Sequence, residues 1–238
     1  MSSDPLRISD QTMEPADRLQ LRSRLRMLKS KAGATAVPWW LLHRLTGLEY
    51  NWWVECRLDP THPLNASPAP FTLHKVAREE DVAALDPGIR EQLEQHTRDT
   101  LSGLVASNEA LYFLTDGQRV VSGNTVALGP EVDHAWSPTR LKLRLPDDAC
   151  YMWYGWTDEA YRGQRAVYRV FAAMLDDLAR SGKRRAYGVV SRTNVAQIKN
   201  LLRLGWRPVA GMCTTGKGKL LFLGRYARDT LRAQVRPL

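Results

Sequence analysis

The sequence has no long apolar run. Its longest uncharged apolar stretch, residues 36–42, spans seven residues with Pro38 inside it, far short of the roughly 20 that a membrane-spanning helix needs. No transmembrane segment is expected. The amino terminus, Met1-Ser2-Ser3-Asp4-Pro5, lacks the apolar core of a secretory signal, so the expected compartment is the cytoplasm. Cysteine is scarce. Cys56, Cys150 and Cys213 stand more than 60 residues apart and match neither a disulfide framework nor paired zinc ligands, so buried free thiols are expected. His43, His62, His74, His96 and His134 show no metal-ligand spacing, and no metal site is expected. A G-x-S-x-G elbow, a P-loop, an internal repeat and a low-complexity tract are all missing. What remains is an ordinary globular composition, 44% hydrophobic and 25% charged over 238 residues. It excludes disorder throughout and suits one large domain with an extension.

The formal charge of +9 is unevenly spread. Residues 1–70 hold 9 Lys/Arg against 7 Asp/Glu, residues 71–150 hold 8 against 13, and residues 151–238 hold 17 against 5. An excess this local favours an anionic partner, whether a polyphosphate cofactor, an acidic carrier protein or nucleic acid, and the same charge is also what a solvated arginine-rich surface carries. Arg184 and Arg185 read as a solvated rim, because no aromatic ladder interleaves them. Nucleic acid is therefore not the expected partner.

Four prolines (Pro60, Pro63, Pro68, Pro70) within residues 59–70 mark the best linker. Before it, Leu21, Leu25 and Leu28 fall at helical spacing among Arg22, Arg24, Arg26 and Lys29, an amphipathic basic helix. Pro38 suits the first turn of a second helix that carries Trp39, Trp40, Leu41 and Leu42. Residues 1–70 are thus expected to form a helical extension and linker, residues 71–227 a domain, and residues 228–238 a basic tail. Within the domain, patterning predicts a strand at 71–76, a short helix ended by Pro87, and one longer helix at 89–105. A hairpin around Asp116-Gly117 follows, then an aromatic strand at 150–156, a helix at 166–180, a strand at 185–190, a helix at 195–204 ended by Gly205, and a last strand at 218–226. That order describes an α/β (α+β) domain on a mixed, mostly antiparallel sheet flanked by helices.

The most informative stretch is the turn between the aromatic strand and the next helix, residues 157–167, with Tyr161-Arg162-Gly163-Gln164-Arg165-Ala166-Val167 at its heart. A helix amino terminus presents unpaired N–H groups and a partial positive charge, a natural seat for a pyrophosphate, and Arg162 and Arg165 add full charges beside it. This turn resembles the pyrophosphate-binding turn of the GNAT superfamily of acyl-CoA-dependent N-acyltransferases, whose usual pattern is Q/R-x-x-G-x-G/A. Arg162 fills the first position, while Arg165 and Val167 stand where the pattern has small residues. A second matching piece is Asn194, with Gly205-Trp206 following 11 and 12 residues later. The resemblance covers roughly two thirds of the chain.

The resemblance implies acetyl-CoA or another acyl-CoA as co-substrate, held by Gly155, Trp156, Thr157, Arg162, Gly163, Gln164, Arg165, Ala166, Val167 and Asn194. It implies transfer of an acyl group, expected to be acetyl, to a small-molecule or peptide amine. An acyl carrier protein as donor and a homodimer both stay open. Main-chain groups of the strand before the turn would pair with the pantetheine arm, and the N–H of Trp156 would polarise the acyl carbonyl. Where the family often has a tyrosine, seven residues after the asparagine, this chain has Leu201. Tyr151 shares a strand face with Trp153 by alternation and is a candidate acid or base; a base relayed by water from Glu109, Asp148 or Asp158 is the alternative. A degenerate member that binds an acyl-CoA, an acyl carrier or another anionic partner without turnover is the other reading.

Overall fold

Eight strands join in one mixed sheet, and helices lie on both of its faces. The structure is a computed structural model and describes residues 37–61, 64, 68–97, 100–133, 141–215, 219–231 and 234–235. The expected basic helix around Leu21, Leu25 and Leu28 lies outside them. The chain runs through α1 (Val37–Thr46), β1 (Leu48–Arg57), β2 (Thr72–Val76), α2 (Glu79–Ala83), α3 (Pro87–His96) and α4 (Leu101–Ala106). It continues through β3 (Glu109–Asp116), β4 (Arg119–Ala127), β5 (Glu131–Asp133), β6 (Leu141–Arg144), β7 (Ala149–Thr157) and α5 (Ala166–Arg180). The last elements are β8 (Arg185–Ser191), α6 (Val195–Arg203), β9 (Arg207–Thr215), β10 (Leu220–Leu223), α7 (Arg225–Leu231) and β11 (Gln234–Val235). The main sheet has the order β10-β9-β1-β8-β7-β4-β3-β2, and β11-β6-β5 form a second, three-stranded sheet. Every neighbouring pair of the main sheet is antiparallel except β7 and β8, which are parallel.

The helical extension needs correction. Gly47 at φ +67° ends α1, donating its N–H to His43 O at 2.7 Å, and the chain turns straight into a strand. The run Trp52-Trp53-Val54 with Cys56 is rich in aromatic and β-branched residues, and β1 pairs on both edges, with β8 and β9. Residues 48–57 are therefore part of the sheet and not an appendage to it. Three other expectations also change. The long helix at 89–105 is broken in two, because the Thr100 hydroxyl accepts from Gly103 N and starts α4 afresh. The last strand shortens to β10, and the expected basic tail begins as the end of α7, whose Ala227 and Leu231 are fully buried.

Each face of the sheet has its own core. On one side α5 lays down Ala166, Val170, Met174 and Leu178 at i, i+4 spacing, with Phe171 and Leu175 beside them, against Val54, Cys56, Cys150 and Met152. Each large apolar side chain so buried contributes about 1.5–3 kcal/mol. On the other side, α2 to α4 cover β2 to β4, while α7 and the small sheet cover Trp53, Tyr151 and Tyr187. The burial of Cys56 and Cys150 agrees with the expected free thiols, and Cys213 is half-buried. No helix of the described residues is long and apolar enough to cross a membrane.

Candidate active site

Only four residue pairs link β7 to β8, from Ala149↔Arg185 to Met152↔Gly188. Both strands run on, to Thr157 and Ser191, but diverge. The closed end is pinned by Arg185, whose guanidinium bonds Asp148 at 2.7 Å, and by Lys183, whose ammonium donates to the carbonyls of Leu128 and Asp147. At the open end β7 also bulges. Thr125 pairs with Tyr154 and Val126 with Met152, so Trp153 is an extra residue against β4. The bulge shifts the side-chain alternation by one, and Met152 and Gly155, three apart, face the same core beneath α5.

The direction of the main-chain groups beyond the bulge follows from three hydrogen bonds. Asn124 Nδ2 donates to Tyr154 O, Ser122 Oγ to Trp156 O, and Asp158 N to Val121 O. All three reach across to β4, so Tyr154, Trp156 and Asp158 point that way. By alternation, Gly155 and Thr157 turn their N–H and C=O to the side that β8 has left. This corrects the expectation for Trp156: its N–H faces β4, and its ring lies over Gly123 on the far face, stacked on His96 at 3.9 Å.

α5 begins at this same open end. Its N-cap residue, Arg165, sits in the left-handed region at φ +61°, ψ +20°, and makes no side-chain cap. The first three N–H groups of the helix, those of Ala166, Val167 and Tyr168, have no partner one turn back. The contrast with other helices is sharp. Asp86, Thr100 and Asn194 each cap their helices with a side-chain oxygen. Gly163 also has positive φ, +88°, so the turn keeps a glycine-like path at Arg165 without the glycine. Arg162 pairs with Glu159 at 2.7 Å across exposed surface, and Gln164 Nε2 donates to Ala160 O. Arg165 is exposed and has no ion pair among the described residues.

Between the diverging strands and the helices α5 and α6 lies a cavity of about 210 Å³. Its mouth is polar, with Ser191, Asn194 and Gln197, and its floor is apolar, with Val54, Met152, Phe171, Leu201 and Trp206. Gly155 lines it too, and a Cβ there would stand 2.7 Å from Asn124 Nδ2, which would have to shift. Asn194 is on the rim, but its Oδ1 accepts from Gln197 N as a helix cap, which leaves the amide nitrogen for a ligand. Sequence reasoning missed Asn124, Tyr154 and Gln197. The bulge that turns this part of β7 depends on pairing with β4 and leaves no local signal.

Neither a protein-family model nor a curated protein matches the sequence. Solved structures with a similar fold do exist. Members of the GNAT superfamily recur among them. One is a candidate GNAT-family acetyltransferase from Novosphingobium aromaticivorans, at 15% identity and TM-score 0.47 over 70% of this chain and 62% of that one. A GCN5-related N-acetyltransferase from Sphaerobacter thermophilus has 14% identity and TM-score 0.47 over 72% and 52%. A GCN5-related N-acetyltransferase-like protein from Streptococcus suis has 12% identity and TM-score 0.46 over 81% and 74%. The chain spans less than two thirds of the length of the first two.

The proton-handling candidates separate by position. Tyr151 is buried against Trp53, at 5.9 Å between rings, in the core on the face away from α5. Burial holds its hydroxyl well above the usual tyrosine range, and it does not line the cavity. Tyr154 lines the cavity, but its neighbours in the strand, Gly155 beneath α5 and Trp156 over the far face, put its side chain on the far face by alternation, with its ring 5.8 Å from that of Trp153. The three carboxylates are engaged elsewhere. Glu109 accepts from Trp153 Nε1, Asp148 pairs with Arg185 at the closed end, and Asp158 caps Ala160 N and pairs with Arg119. The N–H of Ala160, helped by Arg119, holds the Asp158 carboxyl below its usual range. No group of three or more His, Cys, Asp or Glu among the described residues is placed to hold a metal ion.

Proposed function

We propose that this protein is an acyl-CoA-dependent N-acyltransferase that passes an acyl group, acetyl first among the donors to test, to a small-molecule or peptide amine. The observation that carries the reading is a coincidence of place. The strands part at Met152↔Gly188 at the same end of the sheet where α5 presents an amino terminus without a side-chain cap, beside the exposed Arg165. The pyrophosphate of the donor sits on the N–H groups of Ala166 to Tyr168, at a helix start that its N-cap side chain leaves open to an anion. Its pantetheine arm runs past Asn194 and Gln197 and pairs with the free edge of β7 at Gly155 and Thr157. The thioester carbonyl then lies against one of those two N–H groups. As the amine attacks the carbonyl carbon, that N–H receives the growing negative charge on oxygen, an effect worth about 3 kcal/mol for a well-placed donor. The C–S bond breaks, the thiolate leaves with CoA, and the ammonium proton passes to water.

A second reading, binding without turnover, is favoured by one observation: Leu201 occupies the α6 position that would hold the acid, and no carboxylate among the described residues lines the cavity. Two measurements decide between them. At a CoA concentration 100-fold above Kd, preferential binding stabilises the native state by about 2.7 kcal/mol, or roughly 5–10 °C in Tm for a chain of this size. Pantetheine, which lacks the pyrophosphate, should shift Tm far less. Equal shifts, or none with either at millimolar concentration, would remove the cofactor assignment. Release of free thiol from acetyl-CoA in the presence of an amine panel supports the transferase; CoA binding with no thiol release supports the binder.

A further inference from the structure

We propose that Trp206 sets the length of acyl chain that this site accepts; the inference rests on the acyl-CoA reading above and deepens it. The floor of the main cavity is shared. Val54, Val190, Leu201 and Trp206 also line a second, much smaller cavity, flanked on its outer side by Trp52, Ile198, Leu202 and Pro208. Its volume is about 10 Å³, room for about one water at most and so none for further chain. The indole is the largest group in the partition and lies beneath the apex of the splay. Its Cζ3 is 3.7 Å from where a Cβ of Gly188 would stand, and Gly188 belongs to the last β7–β8 pair. A chain attached to a thioester at Gly155 and directed at the apolar floor therefore meets this ring.

The ring is held there by local backbone geometry. α6 ends in a Schellman motif, with Trp206 N–H donating to Leu201 O and Gly205 N–H to Leu202 O, and Gly205 at φ +82°. The motif places the residue after the glycine against the one at the start of the last turn, here Trp206 against Leu201. Both are in the partition. The indole itself makes no hydrogen bond that would explain its retention: Trp206 is 2% exposed and its Nε1 has no partner, although a buried indole N–H usually finds one. Its contribution at this position is bulk.

The test measures Kd by calorimetry for CoA, acetyl-CoA and hexanoyl-CoA, each thioester expressed relative to CoA so that a general loss of affinity cancels. Wild type should bind hexanoyl-CoA no more tightly than acetyl-CoA. Trp206→Leu opens the partition, and each methylene newly buried is worth about fourfold in affinity, so the preference should move toward hexanoyl-CoA by about tenfold or more. Because Trp206 is also core, Leu201→Ala is the companion variant, widening the same wall while the indole stays. An unchanged acetyl-to-hexanoyl ratio in folded variants would overturn the role of Trp206, as would a wild type that already prefers hexanoyl-CoA tenfold. If wild type binds none of the three ligands, the acyl-CoA reading itself falls. Binding of all three with an unchanged ratio sinks only the partition.

Discussion

Arg165 offers a substitution in which removing a charged residue should make the protein more stable. Its backbone lies at φ +61°, where a left-handed L-residue costs about 1–2 kcal/mol. Glycine adopts that conformation freely but brings about 0.5–1 kcal/mol of extra chain entropy to the unfolded state. Arg165→Gly should therefore gain about 0.5–1 kcal/mol, which at about 2–4 °C per kcal/mol raises Tm by roughly 1–4 °C. Arg165→Ala removes the same charge and keeps the strain, and its Tm should stay near that of wild type, since the exposed guanidinium has no ion pair among the described residues. The two variants thus separate backbone from charge. Both should lose CoA affinity equally, by about tenfold, for one charge-assisted phosphate contact at an exposed site. Urea denaturation and calorimetry read both quantities. Equal Tm values for the glycine and alanine variants would refute the strain argument, and unchanged affinity in both would move the pyrophosphate away from α5.

Gly155→Ala places a methyl 2.7 Å from Asn124 Nδ2 and 3.4 Å from the Phe171 ring; overpacking of this kind costs about 1–3 kcal/mol, and CoA binding measured on folded protein should drop sharply. Burial pushes the Cys56 thiol up to about 11 and the Cys150 thiol to about 12, so at pH 8 a thiol reagent should label Cys213 first and the other two only on unfolding; prompt labelling of all three would contradict the core. Asp158 is held below its ordinary pKa by the Ala160 N–H and by Arg119, so its stabilisation is complete above about pH 4 and is lost as pH falls through the lowered value. Asp158→Ala should accordingly cost about 0.5–1 kcal/mol at pH 7, with the difference from wild type shrinking in acid; a difference independent of pH would show that the carboxylate charge contributes nothing.

Sequence patterning reached furthest where local chemistry decides structure. The stripe from Ala166 to Leu178 and the glycine at 205 each specify a helix or its end, and both elements stand where periodicity puts them. The turn at Asp116-Gly117 likewise joins β3 to β4. Tertiary pairing decided the rest. β1 is hidden from a local reading because the proline-rich segment after it looks like a domain boundary, yet two neighbouring strands make it a central strand. The candidate site shows the same division. Arg162 to Val167 lie in the expected turn, but strict alternation selected Tyr151, which faces the opposite core, and one bulged residue, Trp153, brings Gly155 beneath α5 beside Met152. The left-handed backbone at Arg165 is likewise invisible in its residue type, because arginine gives no sign of it.

A crystal structure of the protein with acetyl-CoA tests the central claim most directly. The account predicts pyrophosphate density on the N–H groups of Ala166, Val167 and Tyr168, pantetheine along the free edge of Gly155 and Thr157, and the thioester above the floor formed by Met152, Leu201 and Trp206. Acetyl-CoA bound on another face, or a cleft that stays empty at ligand concentrations well above the Kd measured in solution, would contradict it.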